Sequence, residues 1–135
     1  LVSYGAAVTR PTGTPAPTTI TVDGQPYSLE HGRVLIYFFD AECLHCLHVG
    51  RRLAEYNWGD TRIVVAPVQR PELALGFLQD TGLRAAITTD TALLRQTFPF
   101  VDVPAAVAIE DGRQQALLLQ FEGAEAELRS LGFIR

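Results

Sequence analysis

Two continuous apolar runs stand out in the pattern of hydrophobic and polar positions along the chain. Val34–Phe39 and Arg62–Val68 are rich in strand-forming residues and show no regular polar alternation. This pattern is typical of strands that are covered on both faces of a sheet. Between them, apolar residues recur at helical spacing at Cys46, Val49, Leu53 and Tyr56. A helix is therefore predicted from Cys43 to about Asn57, and two buried strands joined by a helix predict parallel pairing in a β-α-β unit.

Two hairpins are predicted outside this unit. In Ile20–Leu29, β-branched residues flank an Asp-Gly turn signal, which indicates an edge hairpin. Ala105–Ile109 and Gln115–Leu119 are interpreted as the strands of a second hairpin. The loop between them contains Asp111-Gly112, a pair that suits a tight turn, so these strands should be antiparallel.

The remaining segments predict three more helices and a short strand. The helices are expected over Pro71–Leu78, Ala92–Phe98 and Ala124–Leu131, and the strand over Ala85–Thr88. Proline fits the first turn of a helix because its ring fixes φ and its missing N–H is not needed there. Asp90 or Thr91 is the candidate N-cap of the middle helix.

The first 19 residues differ in composition from the rest of the chain. Thr9–Thr19 holds three prolines, a glycine and mostly small polar residues, which cannot bury enough apolar surface to offset the entropy of ordering. We predict a flexible N-terminal tether over residues 1–19 and a single domain over residues 20–135. The chain starts at Leu1 and contains no methionine, so we expect either that a leader or membrane anchor has been removed or that the sequence was cut from a longer chain, and residues 1–8 could be the tail of a leader or an ordinary disordered end.

Charge and composition exclude several classes of function. The 135 residues include 11 basic and 15 acidic side chains, giving a net charge of −4, and the basic residues form no stripe that could follow a phosphate backbone. Nucleic acid is therefore not an expected partner. All 11 basic residues are arginine, so chemistry that needs a lysine is excluded. No apolar run approaches the roughly 20 residues of a membrane-spanning helix, so direct membrane insertion of this chain is not expected.

The two cysteines of the chain, Cys43 and Cys46, lie where the central strand gives way to the first helix. A disulfide between residues three apart closes too small a loop to stabilise the fold much, so reversible chemistry is the better explanation for the pair. At the helix start, Cys43 would face unsatisfied backbone N–H groups and the positive end of the helix dipole, which favour a thiolate nucleophile. Cys46, one turn later and on the core face, would resolve the mixed disulfide.

His45 lies between the cysteines and is a candidate modulating residue. If protonated, it would stabilise the Cys43 thiolate and hence the reduced form, which makes the disulfide a stronger oxidant. We therefore predict an oxidising bias. The alternative is a solvated residue at the helix start with little effect on the sulfur.

A family resemblance rests on these residues. The sequence Phe38-Phe-Asp-Ala-Glu-Cys-Leu-His-Cys46 after an apolar strand, followed later by Val103-Pro104 before a hairpin, resembles the thioredoxin superfamily. The segment Ile20–Leu29 and the extra helix and strand between Pro71 and Thr88 are most similar to the TlpA-like branch of extracytoplasmic thiol-disulfide oxidoreductases. The resemblance covers about residues 20–134. It implies an α/β thioredoxin-like fold, a central mixed β-sheet flanked by helices, with an N-terminal hairpin and an inserted helix and strand.

The resemblance also assigns roles to Val103 and Pro104. It implies a cis bond between them, packed beside the active-site cysteines. The backbone of Val103 would then pair with a bound substrate peptide. Without the resemblance a trans bond would be the default expectation, because only about 5–6% of bonds before proline are cis in folded proteins.

Two positions depart from the family pattern. Glu42 stands where family members commonly carry tryptophan, and its negative charge should oppose thiolate formation at Cys43, against the effect of His45. Tyr37 stands six residues before the first cysteine, where many thioredoxins place a buried carboxylate as proton acceptor. Water, Asp40 or Glu42 would then have to accept the proton of Cys46.

The resulting prediction is a thiol-disulfide oxidoreductase that acts on protein thiols and disulfides as a monomer, together with a redox partner protein. Cys43 and Cys46 are its catalytic residues, His45 and Glu42 modulate them, and Val103 and Pro104 bind substrate. No metal or organic cofactor is expected. The compartment is expected to be extracytoplasmic, either periplasmic or tethered to a membrane.

Two alternatives remain open from the sequence. The cysteines and a nearby histidine, His45 or His48, are the residue types that bind copper or zinc, although Cys46 must point inward in the predicted helix. Otherwise, the domain could be redox-inactive and serve only for interaction. The direction of electron flow is not determined by these residues.

Overall fold

A six-stranded mixed β-sheet forms the centre of the structure, a computed structural model that describes residues 8–9 and 13–135. The strands are β1 (Val8–Thr9), β2 (Thr19–Val22), β3 (Gln25–Ser28), β4 (Arg33–Asp40), β5 (Arg62–Gln69), β6 (Ala86–Ile87), β7 (Ala105–Glu110) and β8 (Arg113–Leu118). The helices are α1 (Leu44–Glu55), α2 (Ala74–Thr81), α3 (Thr91–Thr97) and α4 (Ala124–Ser130). The sheet has the order β1-β8-β7-β4-β5-β6, and β2 and β3 form a separate hairpin.

Strand β4 is the central strand, and its two faces belong to two separate cores. It pairs in parallel with β5 and antiparallel with β7, so both of its edges are hydrogen-bonded. Leu35, Tyr37 and Phe39 face the core that includes α1, α2 and α4 residues. The alternate residues of β4 face a second core, which contains residues of the β2–β3 hairpin and of α3. The prediction of a central strand covered on both faces is confirmed.

The hairpin β2–β3 is fixed to the sheet near its β6 edge by polar contacts. The N–H of Thr21 donates to Oδ2 of Asp90 at 2.6 Å, and the hydroxyl of Thr88 donates to the carbonyl of Thr21 at 2.8 Å. Asp90 does occupy the N-cap position of α3, but its side chain makes no capping hydrogen bond. The predicted capping role of Asp90 is therefore corrected, since its carboxylate is used in a tertiary contact.

The helix predicted from Pro71 begins later than expected. Residues Pro71–Leu73 form a single 3-10 turn, and α2 starts at Ala74. Arg70, just before this turn, has left-handed backbone dihedrals, which turn the chain sharply out of β5. The helix continues to Thr81, three residues beyond the predicted end at Leu78, and stops at Gly82, whose positive φ of 77° suits a residue without a Cβ.

The segment before the hairpin lies along the outer edge of β8. The N–H of Gly13 donates to the carbonyl of Gln114, and the N–H of Gln114 donates to the carbonyl of Thr14. The N–H of Ala16 bonds to the carbonyl of Gly112. Part of the segment predicted as a tether, from Gly13 to Ala16, is therefore hydrogen-bonded to the strand β8 and the turn before it. Residues 1–7 and 10–12 of that tether lie outside the described residues.

No helix in the described part of the chain is both long enough and apolar enough to cross a membrane.

Candidate active site

Cys43 occupies the N-cap of α1, directly after the carboxyl end of the central strand. Its backbone is extended, with φ −93° and ψ 117°, and its N–H donates to the carbonyl of Asp40 at 3.0 Å. The sulfur accepts a hydrogen bond from the backbone N–H of Cys46 at 3.1 Å and is partly exposed. Hydrogen bonds of this kind strengthen when the acceptor carries a charge, so the helix start is suited to a sulfur that becomes anionic. The structure therefore places Cys43 as the sequence predicted.

Cys46 lies one turn further along α1 and is fully buried. Both cysteines are thiols in the structure. Burial raises the pKa of Cys46 to about 12, and the neighbouring Cys43 adds to the increase, partly by hydrogen bonding and partly by charge. Cys43 is consequently the sulfur that an external molecule can reach, whereas Cys46 is protected from it.

Tyr37 of β4 lies beneath the two cysteines. Its hydroxyl donates to the backbone carbonyl of Cys46 at 2.7 Å, and its ring is in edge contact with Phe121 at a centroid distance of 6.0 Å. Burial, with a smaller contribution from the two sulfurs, raises the pKa of Tyr37 well above that of an ordinary phenol. The hydroxyl is therefore a donor to the helix that carries the cysteines, and it cannot take over the proton-accepting role of a carboxylate.

Glu42 precedes Cys43 and points into solvent, with 59% of its side chain exposed. Its N–H donates to Oδ1 of Asp40 at 2.9 Å, so its backbone is fixed by the end of β4. Its carboxylate is paired with Arg70, whose Nη1 lies 3.5 Å from Oε1 of Glu42. This ion pair joins residues 28 apart in the chain and was not foreseen from the sequence.

His45 is exposed on the first turn of α1. It lines a shallow depression of about 260 Å³ together with His48, Val49, Arg52, Phe121 and Glu122. The described residues contain no group of three or more His, Cys, Asp or Glu side chains placed to hold a metal ion.

Val103 and Pro104 lie directly before β7, which pairs with the central strand. The peptide bond between them is cis, Val103 is half-buried and Pro104 is buried. Val103 contacts both cores, including the one that contains Cys46. Its N–H, which the resemblance offers to a substrate, donates to Oδ1 of the preceding Asp102 at 2.8 Å in the free protein.

Solved structures with the same architecture include several thiol-disulfide oxidoreductases. The thioredoxin domain of a thiol-disulfide oxidoreductase from Bacteroides vulgatus has a TM-score of 0.67 and 18% identity, covering 91% of this chain and 99% of that one. A thiol:disulfide interchange protein from Bacteroides sp. has a TM-score of 0.70 and 19% identity, covering 89% of each chain. A secreted Mycobacterium tuberculosis disulfide oxidoreductase, described as homologous to E. coli DsbE, has a TM-score of 0.66 and 16% identity, covering 84% and 94%.

No protein-family model matches the sequence, and no curated protein gives a significant match. At identities below 20%, the likeness to solved structures establishes the fold. The chain has the thioredoxin fold, and the predicted fold class, including the N-terminal hairpin and the inserted helix and strand, is confirmed.

Proposed function

We propose that the protein is a thiol-disulfide oxidoreductase that exchanges disulfides with protein substrates through its Cys-Leu-His-Cys motif. The observation that carries the proposal is the unequal placement of the two sulfurs. Cys43 is partly exposed and accepts a backbone hydrogen bond at a helix start, while Cys46 is buried one turn away. The same fold carries thiol-disulfide oxidoreductases in the similar solved structures, which supports this class of chemistry.

In the first step, the Cys43 thiolate attacks one sulfur of a substrate disulfide. A bond forms between Sγ of Cys43 and that sulfur, the substrate S–S bond breaks, and the leaving thiolate takes a proton from water. Cys46 then gives up its proton and attacks Sγ of Cys43. The internal disulfide forms and the second substrate sulfur leaves as a thiol, so the substrate gains two electrons and two protons. The reverse sequence oxidises a substrate dithiol.

The order of the two steps follows from the charge on Cys43. Burial is the main cause of the raised pKa of Cys46, and the hydrogen bond and charge of Cys43 raise it further. When Cys43 is engaged in a mixed disulfide it carries no charge, so this part of the increase disappears. Cys46 therefore becomes a better nucleophile at the moment when it is needed.

The remaining predicted site residues have supporting roles in this proposal. Val103 and Pro104 shape the groove beside the cysteines, with the Val103 backbone pairing with the substrate chain. His45 favours the Cys43 thiolate and Glu42 opposes it, and their balance sets the reduction potential. A redox partner protein renews the cysteines, and no metal or organic cofactor takes part.

The compartment of the protein is proposed to be extracytoplasmic. The M. tuberculosis structure similar to this chain is described as secreted, which supports an environment in which disulfides persist. Within that compartment the domain would act as a monomer, either free in the periplasm or tethered to a membrane.

The decisive experiment is a trap for the mixed disulfide. The Cys46→Ser variant, incubated with a disulfide-bonded protein substrate, should accumulate a covalent complex through Cys43 that mass spectrometry identifies and dithiothreitol releases. The Cys43→Ser variant is the matched control, because it keeps one thiol, the buried one, and should form no complex. The assigned roles of the two cysteines are incorrect if both variants form the complex, and also if neither variant forms it.

The direction of exchange follows from the equilibrium potential of the cysteine pair in glutathione buffers with a chelator present. A value above about −200 mV would assign an oxidase or isomerase role, and one near or below about −270 mV a reductase role. A wild-type pair that does not exchange at all overturns the proposal. If added zinc or copper then protects both thiols from alkylation, the domain binds metal. If neither metal protects them, the domain serves only for interaction.

A further inference from the structure

The backbone of Arg70 is unusual among the described residues. It has φ 51° and ψ 59°, in the left-handed region, and it is the only residue other than glycine or aspartate with positive φ there. It also precedes Pro71, a position that favours extended backbone. A residue with a Cβ pays a conformational cost in this region, and such a conformation persists only where surrounding contacts hold the residue in place.

The side chain of Arg70 is held between two carboxylates. Its Nε donates to Oε2 of Glu72 at 3.0 Å, and its Nη1 lies 3.5 Å from Oε1 of Glu42. Glu72 belongs to the turn that follows β5, whereas Glu42 directly precedes Cys43. The guanidinium therefore ties the residue beside Cys43 to the loop after the neighbouring strand.

We propose that Arg70 is a positioning residue that acts on Cys43 through Glu42, by holding the Glu42 carboxylate toward the β5–α2 loop. The inference rests on the proposed function, in which Cys43 is the nucleophile. The backbone of Glu42 is fixed by its hydrogen bond to Asp40, but 59% of its side chain is exposed and free to rotate when unpaired. Without Arg70, the unpaired carboxylate approaches the sulfur of Cys43 and disfavours its thiolate form.

This role explains how a negative charge can stand next to the attacking cysteine. The sequence alone predicts that Glu42 opposes the thiolate. In the structure Arg70 has two effects on the Glu42 carboxylate: it supplies an opposite charge, and it fixes the direction in which the carboxylate points. An arginine is suited to this because its planar group bonds two carboxylates in different directions, which a lysine does less well.

The test measures the alkylation rate of Cys43 by iodoacetamide in the reduced protein, at neutral pH and low ionic strength, with mass spectrometry to confirm the site. Arg70→Gln should slow alkylation roughly threefold, the size expected from an exposed ion pair. Arg84→Gln is the matched control. It removes the same charge from an exposed arginine that lies beside Tyr56–Gly59, beyond the far end of α1, and should leave the rate unchanged.

Action through Glu42 is distinguished from a direct field effect by a double-mutant cycle. In a Glu42→Gln background, Arg70→Gln should change the rate by less than about 1.5-fold, because no carboxylate remains to be positioned. A second measurement tests whether the effect is electrostatic. In about 1 M salt, where the screening length is about 3 Å, Arg70→Gln in the otherwise unchanged protein should slow alkylation less than at low ionic strength.

An equal slowing by Arg70→Gln with and without Glu42 would show that Arg70 acts by its own charge, and no slowing would show that it does not act on Cys43. Either result overturns the inference. The proposed function fails separately, when the unchanged protein forms no mixed disulfide with a substrate. In that case the coupling between Arg70, Glu42 and the rate at Cys43 can still be measured.

Discussion

Replacement of Gly50 by alanine should destabilise the protein, although alanine is the better helix former. Gly50 lies in α1 where this helix packs on α2. A Cβ at this position would be 2.9 Å from Cγ2 of Thr81 and 3.2 Å from the ring of Phe77. The first distance is shorter than van der Waals contact allows, so one of the two helices would have to shift.

Neither neighbour of Gly50 can move aside easily. The hydroxyl of Thr81 donates to the carbonyl of Phe77 at 2.9 Å and accepts from the N–H of Leu83 at 3.2 Å, which fixes its rotamer. The ring of Phe77 stacks on Phe39 at a centroid distance of 4.1 Å. Overpacking of this kind costs about 1–3 kcal/mol. A gain of up to about 1 kcal/mol in helix propensity offsets part of it, leaving a net loss of up to about 2 kcal/mol.

Gly76→Ala is the matched control for this prediction. Gly76 lies in α2, is exposed, and has nothing within 4 Å of a Cβ placed there. The same chemical change should therefore stabilise the protein by about 0.5–1 kcal/mol. Urea unfolding of both variants under reducing conditions measures the two free energies. If Gly50→Ala is as stable as Gly76→Ala, the packing of α1 against α2 is not as described.

Three further outcomes are expected from the same unfolding measurements. Tyr37→Phe should lose about 1 kcal/mol, because the carbonyl of Cys46 loses a buried donor, and unchanged stability would contradict this. Because burial raises the pKa of Cys46 from 9.0 to about 12, the stability of the reduced protein should be unaffected by this group below pH 9 and fall between pH 9 and 12. The free energy of unfolding of the Cys46→Ala variant should decrease less over that pH range. Asp90→Ala should lower the free energy of unfolding by about 1–2 kcal/mol and speed hydrogen exchange at the Thr21 amide, because that amide loses its acceptor. If the Thr21 amide keeps its protection from exchange, Asp90 does not hold the hairpin.

The long elements of the fold were predictable from sequence because their patterns are dictated by burial. The run Val34–Phe39 contains no polar residue, and the strand it predicts extends only one residue further at each end in the structure. The helix predicted from Cys43 to Asn57 spans Leu44–Glu55, and Cys43 lies at its N-cap. In both cases the local preference and the tertiary environment favour the same structure.

Predictions from composition were less successful where backbone pairing decides the structure. The proline-rich segment before Ile20 has few apolar residues, so its sequence indicates flexibility. Its hydrogen bonds to β8 use the N–H groups of Gly13 and Ala16, so no donor is required of Pro15 or Pro17. Prolines are tolerated at the edge of a sheet for this reason, and the free groups of β8 provide the partner.

The candidate site shows the same division between local and tertiary information. The positions of Cys43 and Cys46, one at the helix start and one a turn later on the core face, follow from their spacing, which the sequence reveals directly. The ion pair between Glu42 and Arg70 joins a helix start to the end of a neighbouring strand, and parallel strands bring such ends together only in the folded sheet. The left-handed turn at Arg70 has no signal in the sequence, since the following proline favours the opposite conformation.

In the proposed mechanism Cys46 must lose a proton, and Tyr37 stands at the position where many thioredoxins place a buried carboxylate. None of the carboxylates in the described part of the chain is buried, and Tyr37 donates its own proton to the helix. Asp40, the nearest candidate along β4, already accepts the N–H of Glu42 and contacts Gln69 at 3.5 Å through its other oxygen. Burial, the main cause of the raised pKa of Cys46, opposes deprotonation throughout, and loss of the charge at Cys43 removes only the smaller contribution of that sulfur. In the proposed mechanism this smaller change makes the second chemical step easier once the first is complete.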